Sequence, residues 1–145
     1  MTVDLLLFRV GRELFATELR AVEEAVALTS VQQIPGTAAP VRGVLTLRGA
    51  LVPLFSAAAA LGLSPGEAAT ALVVRDAAGR IAIAVDDVED VLSVRDGERR
   101  PVPAADARDA AVLRGVVRRG NDLIALVDLD ALIAACRGTS QPEAA

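Results

Sequence analysis

Apolar positions along the chain fall in short blocks, and most blocks end at a Gly, Pro or Asn turn signal. Val3 to Val10 is rich in Leu and Val and stops at Gly11-Arg12. Glu13 to Leu19 resumes the apolar pattern, so the two segments read as strands joined by a tight turn. Leu19 to Ala27 sets Leu19, Val22, Ala25 and Val26 at helical spacing and predicts a short helix. Pro35-Gly36 and Pro40 mark a loop. Val41 to Leu47 and Leu51 to Phe55 flank Arg48-Gly49-Ala50 as a hairpin, with Pro53 pointing to an edge or a bulge. Ser56 can cap a short Ala helix that runs to Leu61 and ends at Gly62.

Beyond the Ser64-Pro65-Gly66 loop the pattern starts again. Thr70 to Arg75, Gly79-Arg80 and Ile81 to Val85 form a second strand–turn–strand, followed by an apolar stretch from Val88 to Val94. Asp96 to Asp109 is the longest irregular region. Val112 to Arg118 and Leu123 to Val127 flank Arg119-Gly120-Asn121-Asp122 as another hairpin, and Asp128 to Cys136 predicts a C-terminal helix with Asp at its start.

The second half repeats the first. Gly11-Arg12 corresponds to Gly79-Arg80, and Val22-Glu23-Glu24-Ala25-Val26 to Val88-Glu89-Asp90-Val91-Leu92. Ile34-Pro35 matches Val102-Pro103, Arg42-Gly43-Val44 matches Arg114-Gly115-Val116, Arg48-Gly49 matches Arg119-Gly120, and Leu51-Val52-x-Leu54 matches Leu123-Ile124-x-Leu126. The order is preserved and the offsets stay between 66 and 72 residues. A unit of roughly 65 residues is small for an independent core. The repeat therefore predicts one β-rich body of two similar lobes that bury apolar faces against each other.

Composition narrows the chemistry. Of 145 residues 53% are hydrophobic, but Ala supplies 29, there is no Trp or Tyr, and only three Phe. The core must come from Leu, Val and Ile. The net charge is −4, all 15 basic residues are Arg, and there is no His. Without His there is no histidine base, metal ligand or phospho-acceptor. Without Lys there is no Schiff base or phosphate-loop lysine. A single cysteine, Cys136, forms neither an internal disulfide nor a Cys-rich zinc site, and reads as a packed thiol. An acidic chain poor in aromatics is a poor nucleic-acid binder. The run Leu5 to Phe8 is too short for a signal core, and Ala50 to Leu63 is broken by Pro53, Ser56 and Gly62. The expected location is cytoplasmic, with no direct membrane insertion.

Few constellations carry chemistry. Asp86-Asp87 and Glu89-Asp90 form the densest carboxylate cluster, but adjacent strand residues point to opposite faces, and the pattern fits a solvated strand end. Ser56 has no general base, and the glycines lack phosphate-loop spacing. Arg48 at a hairpin tip reads either as a solvated turn residue or as a guanidinium offered to a partner carboxylate. Arg118-Arg119 at the second tip carries the same two readings. Glu23-Glu24 reads as the polar face of the first helix. No catalytic residue, metal site or cofactor site is expected.

Ile34-Pro35 followed by Val41-Arg42-Gly43-Val44-Leu45-Thr46-Leu47-Arg48-Gly49-Ala50-Leu51-Val52-Pro53-Leu54 resembles the central signature of CheW-like domains. Ala82 to Leu92 is similar to the family's second signature, and Leu123 to Leu129 to its last, so the resemblance spans about residues 4 to 136. It implies a mainly β fold of two SH3-like five-stranded β-barrel lobes around a shared hydrophobic core, with short helices. The expected domain is 1–137, with lobes in the regions of 15–65 and 70–125, termini free to cross over, and a disordered tail at 138–145. It implies a non-enzymatic adaptor without cofactors. Such an adaptor couples the cytoplasmic tip of methyl-accepting chemoreceptors to the regulatory domain of a CheA-like chemotaxis histidine kinase, in membrane-associated or cytoplasmic arrays. By motif, the receptor-binding residues are Arg48, Val44, Leu47, Val85 and Val88, in a groove between the lobes, and the kinase-binding residues are Val22, Glu23 and Glu24. One departure stands out: Phe55-Ser56-Ala57 where the family usually has Ile-Asp-Leu. Two alternatives stay open. One is a divergent CheW-like protein that binds only receptor or only kinase in a non-swimming pathway. The other is a β-barrel holding a small ligand, with Asp86 and Asp87 as polar anchors.

Overall fold

Glycine and proline punctuation cuts the chain into eleven strands and two α-helices among the described residues. The computed structural model describes residues 2–29, 31–32, 41–64, 66, 68–77, 79–101 and 112–140. The strands are β1 (Thr2–Val10), β2 (Glu13–Glu18), β3 (Glu24–Ala27), β4 (Val31–Gln32), β5 (Val41–Leu47), β6 (Ala50–Ser56), β7 (Thr70–Asp76), β8 (Gly79–Val85), β9 (Asp87–Arg95), β10 (Leu113–Arg119) and β11 (Asp122–Val127). Helix α1 is Ala57–Leu61 and α2 is Leu129–Ser140. The architecture is mainly β in two sheets with few short helices, as the sequence predicts.

The repeat units and the sheets divide the chain differently. In sequence, β1–β2–β3–β5–β6–α1 repeats as β7–β8–β9–β10–β11–α2. In space, one sheet has the order β10-β11-β2-β1-β9 and the other β3-β7-β8-β6-β5-β4. Each sheet thus combines the first hairpin of one repeat with later strands of the other. The exchange uses the same joints on both sides. β1 pairs with β9 and β7 with β3, both antiparallel, and the parallel contacts are β11 with β2 and β6 with β8. The lobe division near residues 65–70 is therefore corrected. One sheet draws on residues 24–85, and the other on 2–18 together with 87–127.

Strand alternation explains why the exchanged hairpins read as continuous apolar runs. Leu5 and Leu7 of β1 fill the first sheet's own interior with Ala16, Val117, Ile124 and Leu126. Leu6, Phe8 and Val10 turn the other way, into a core shared by both sheets and both helices. In β7 and β8, Ala71, Val73, Ala82 and Ala84 pack inside the second sheet, and Leu72, Val74, Ile81, Ile83 and Val85 enter the shared core. Phe8 and Phe15 stack there with ring centroids 6.1 Å apart. Burial on both faces removes the polar half of the usual alternation.

Matching local devices recur in the two repeats. The β5–β6 ladder slips between Val41 and Gly43, and the β10–β11 ladder between Leu113 and Gly115. Both glycines have positive φ, 141° and 152°, and a Cβ at Gly115 would lie 2.6 Å from the Arg100 carbonyl oxygen. The bulges leave Arg42 and Arg114 as corresponding residues. Ser56 caps α1 by accepting the Ala59 N–H at 3.2 Å, and Gly62 ends the helix at φ 74°, as expected.

Three expectations are corrected here. Leu19 to Ala27 is not a helix: Leu19–Ala21 forms one 3-10 turn, and the chain then enters β3. The helical spacing was short and carried two carboxylates, and pairing of β3 with β7 overrides it. The second sheet has six strands rather than five, because the two-residue β4 pairs with β5. The tail does not start at Gly138, since α2 continues to Ser140; residues 141–145 lie outside the described residues.

Candidate functional site

The β5–β6 hairpin turns in two residues. Arg48 (φ 48°) and Gly49 (φ 83°) both sit at positive φ, as a two-residue turn matched to strand twist requires. Arg48 is the one non-glycine residue with positive φ among the described residues. Such a conformation costs a residue with a Cβ on the order of 1 kcal/mol.

That side chain reaches across to β3. Arg48 Nη1 donates to Glu24 Oε2 at 3.1 Å, and Nη2 pairs with Glu24 Oε1, a bidentate fork. The Arg48 hydrogen bond, reinforced by its charge and that of Arg80, holds the Glu24 carboxyl below its ordinary value. The neighbouring Glu23 bridges two further arginines: Arg80 at 3.0 Å and Arg75 at 3.4 Å. The residues expected to serve two separate partners, Arg48 on one side and Glu23 and Glu24 on the other, thus stand in one ion-paired cluster. Val22 is half-buried against the shared core.

Alternation separates the remaining expected contacts. On β5, Leu45 and Leu47 point inward, and Leu47 is buried with Val52 and Leu54. Val85 is fully buried in the shared core, and Val88 packs half-buried against that core from β9. Leu47 and Val85 therefore cannot meet a partner with their side chains, and Val44, Leu47, Val85 and Val88 do not line one groove. The outward face of the hairpin carries Val44 opposite Pro53 and Thr46 opposite Leu51. Leu51 is 67% exposed, the most exposed of the large hydrophobics among the described residues. The exposure of Leu51 and Pro53 was legible from parity: they occupy the outward positions of a strand whose Val52 and Leu54 point in.

The second hairpin does not copy the first. Arg119 is the last residue of β10 and the turn is Gly120-Asn121, so the Arg-Gly pair slips by one residue between the repeats. Arg119 lies 4.0 Å from Asp90. The carboxylate cluster is accounted for locally. Asp87 accepts the Val88 N–H and Asp90 the Val91 N–H, Glu89 pairs with Arg9, and a Cβ at Gly66 would collide with the Asp86 carboxylate. Carboxylates turned onto their own strand's amides also protect β9 as an edge strand. No group of three or more Asp, Glu, Cys or His suited to a metal occurs among the described residues, and no described helix is long and apolar enough to cross a membrane.

Residues 4–137 match the family model described as the CheW-like domain. The chain belongs to that family. The chemotaxis protein CheW of Rhizobium meliloti (strain 1021) is 33% identical over 133 residues, 89% of this chain and 86% of that protein. The chemotaxis protein CheW of Klebsiella aerogenes is 30% identical over 134 residues, 90% of this chain and 81% of that one. The crystal structure of the scaffolding protein TtCheW from Thermoanaerobacter tengcongensis shares the fold. Its TM-score is 0.81 at 22% identity, with 91% of this chain and 88% of that one covered. The Leu-Arg-Gly signature of the CheW-like domain is thus, in this chain, the turn that delivers Arg48 to Glu24.

Proposed function

We propose that this chain is a non-enzymatic adaptor that couples chemoreceptors to a chemotaxis histidine kinase. Membership of the CheW-like family supports the reading, and the observation that carries it is the Arg48–Glu24 fork on a strained two-residue turn. A rigid hairpin with an exposed guanidinium at its tip and an apolar outer face suits docking, where a buried acid–base pair would suit catalysis. Arg48, Val44 and Leu51 form the partner-facing surface on β5–β6, and Glu23 and Glu24 hold its arginines in register. Small-ligand carriage is disfavoured, because Leu7, Ile124 and Leu126 fill one sheet's interior and Leu54, Val73 and Ala82 the other's.

Co-purification from native cells, with both partners read by mass spectrometry, tests the proposal. Wild-type protein should recover a histidine kinase and a chemoreceptor, and Arg48→Glu should lose at least one while keeping its circular dichroism spectrum. Recovery of receptor alone would indicate a one-partner homologue. Recovery of neither would leave the family membership a matter of fold.

A further inference from the structure

The first sheet is open at the end where two of its strands part. The parallel contact of β11 with β2 pairs Ala125 with Phe15 and Leu126 with Ala16, and stops there. Past that point lies a cavity of about 460 Å³, within the size range of small-molecule sites. Leu5, Val94 and Leu126, buried members of the sheet's interior, form its apolar floor. The interior beneath is filled, so the cavity lies over the packed core and does not enter it.

Thr17 lines the same cavity. It is the one buried polar residue among the described residues, 3% exposed, and its hydroxyl has no hydrogen-bond partner among them. A hydroxyl in such a place is unfavourable unless water or a ligand meets it. The other repeat has no such group. Counted on from Gly11 and Gly79, the position that matches Thr17 is Val85, fully buried in the shared core.

The rim of the cavity is divided by charge. Arg95 ends β9, and Arg99 comes soon after it, packed over β10 so that a Cβ at Gly115 would lie 2.9 Å from its Cγ. Glu18 ends β2, and Asp130 lies in the first turn of α2. Arg95, Arg99 and Asp130 have no ion-pair partner among the described residues, and Glu18 has only the exposed Arg20 at 3.5 Å. Arg114 and Asp128 also reach the rim, but they are paired with each other. Two guanidiniums therefore stand on the β9 side and two carboxylates on the β2 and α2 side. Since β1 runs between β9 and β2, the backbones that carry them lie at least about 10 Å apart.

We propose that this cavity binds a short apolar peptide with free ends, about three residues long. Its terminal carboxylate meets Arg95 and Arg99, and its terminal ammonium meets Glu18 and Asp130. Its side chains lie on Leu5, Val94 and Leu126. The Thr17 hydroxyl, donor and acceptor at once, takes a backbone amide group of the peptide. The separation of the charges sets the length. Three extended residues span about 10 Å, whereas a single amino acid holds its two charges only about 3 Å apart. A simple anion would meet Glu18 and Asp130, and a simple cation the two arginines, so the divided rim selects a molecule that carries both charges. The site lies away from Arg48 and Glu24, on the other sheet, and does not depend on the adaptor reading.

Isothermal titration calorimetry of the full chain with alanyl-leucyl-alanine tests the site. Saturable binding is expected below about 1 mM, weakening with salt. Free leucine, the peptide amidated at its carboxyl end and the peptide acetylated at its amino end should each bind at least about tenfold more weakly. Arg95→Gln and Arg99→Gln should erase the preference for the free carboxylate over the amide, and Asp130→Asn the preference for the free amine over the acetyl form. Thr17→Val, which installs the residue of the other repeat, should weaken binding about threefold without lowering the melting temperature. Arg12→Gln, at the opposite end of the sheet, should leave binding unchanged. Absence of saturable binding, equal binding of free and blocked peptides, or equal losses from Arg12→Gln and Arg95→Gln would overturn the assignment.

Discussion

Ser56 and Asp128 occupy the same place in the two repeats, and each accepts the N–H three residues on, from Ala59 and from Ala131, at 3.2 Å. Asp128 has a second duty: its Oδ2 accepts from Arg114 Nε at 2.6 Å. Serine keeps the cap that Asp128 makes in the second repeat but has no carboxylate for an ion pair, leaving Arg42 exposed at the place that matches Arg114.

Removing either cap should cost about 1 kcal/mol, with Asp128→Ala the more severe because Arg114 also loses its carboxylate. Ser56→Asp should raise stability by about 0.5 kcal/mol, since an anion at a helix start is favoured and Arg42 gains an acceptor. Urea melts of the three variants decide this. A lower midpoint for Ser56→Asp would mean that Arg42 does not reach the cap.

Acid should weaken the fold through two identified carboxyls. Arg48 holds Glu24 below its ordinary 4.5. Partial burial pulls Asp128 upward, but the Arg114 hydrogen bond, the backbone N–H groups of Ala131 and Asp130 and the Arg114 charge together set it below 3.8. Groups lowered in the folded state stabilise it fully above their unfolded values and lose that contribution as pH falls through the folded values. Stability measured against pH should therefore be level from neutrality to about pH 5 and fall below it. Glu24→Gln and Asp128→Asn should each show a shallower fall, and unchanged slopes in both would remove these carboxyls as its source.

Charge reversal separates two roles for Arg48. A solvent-screened surface pair contributes little to stability, so Arg48→Glu and Glu24→Arg should each fold normally. The doubly reversed protein recovers the ion pair but places an acid at the turn tip. It should recover stability and still fail to bind its partner in a pull-down. Recovered binding would make Arg48 a positioning residue for the hairpin and not a contact.

Burial in the shared core pushes the Cys136 thiol up to about 11 and shields it from solvent. The folded protein should resist a thiol reagent near neutral pH and react completely in denaturant. Rapid stoichiometric labelling under native conditions would place this face of α2 outside the core.

Much of this was written locally. The hairpins, the Ser56 cap and the Gly62 stop were legible because each depends on a few adjacent residues. The repeat was legible because its punctuation recurs. The partition into sheets was not, since pairing of β1 with β9 joins Thr2 to Arg95 and no local pattern encodes that separation. The site was half legible. Arg48 follows from the turn, but its carboxylate partner follows from β3 being a strand, which the helical spacing of Val22 and Val26 concealed. Leu47 was expected at the surface because parity along β5 was not followed from Leu45.

The exchange of hairpins between the repeats sets a timetable for synthesis. The strands of the second sheet are all made once Val85 has emerged. The β1–β2 hairpin emerges before them, yet its neighbours β9 and β11 end at Arg95 and Val127. At about 5–20 residues per second it waits on the order of ten seconds for them. Throughout that interval Leu5, Leu7 and Ala16 lack the strands that cover them. The hairpin is thus made before the second sheet and enclosed only after that sheet's strands are complete, and a nascent chain stalled before β11 would display it.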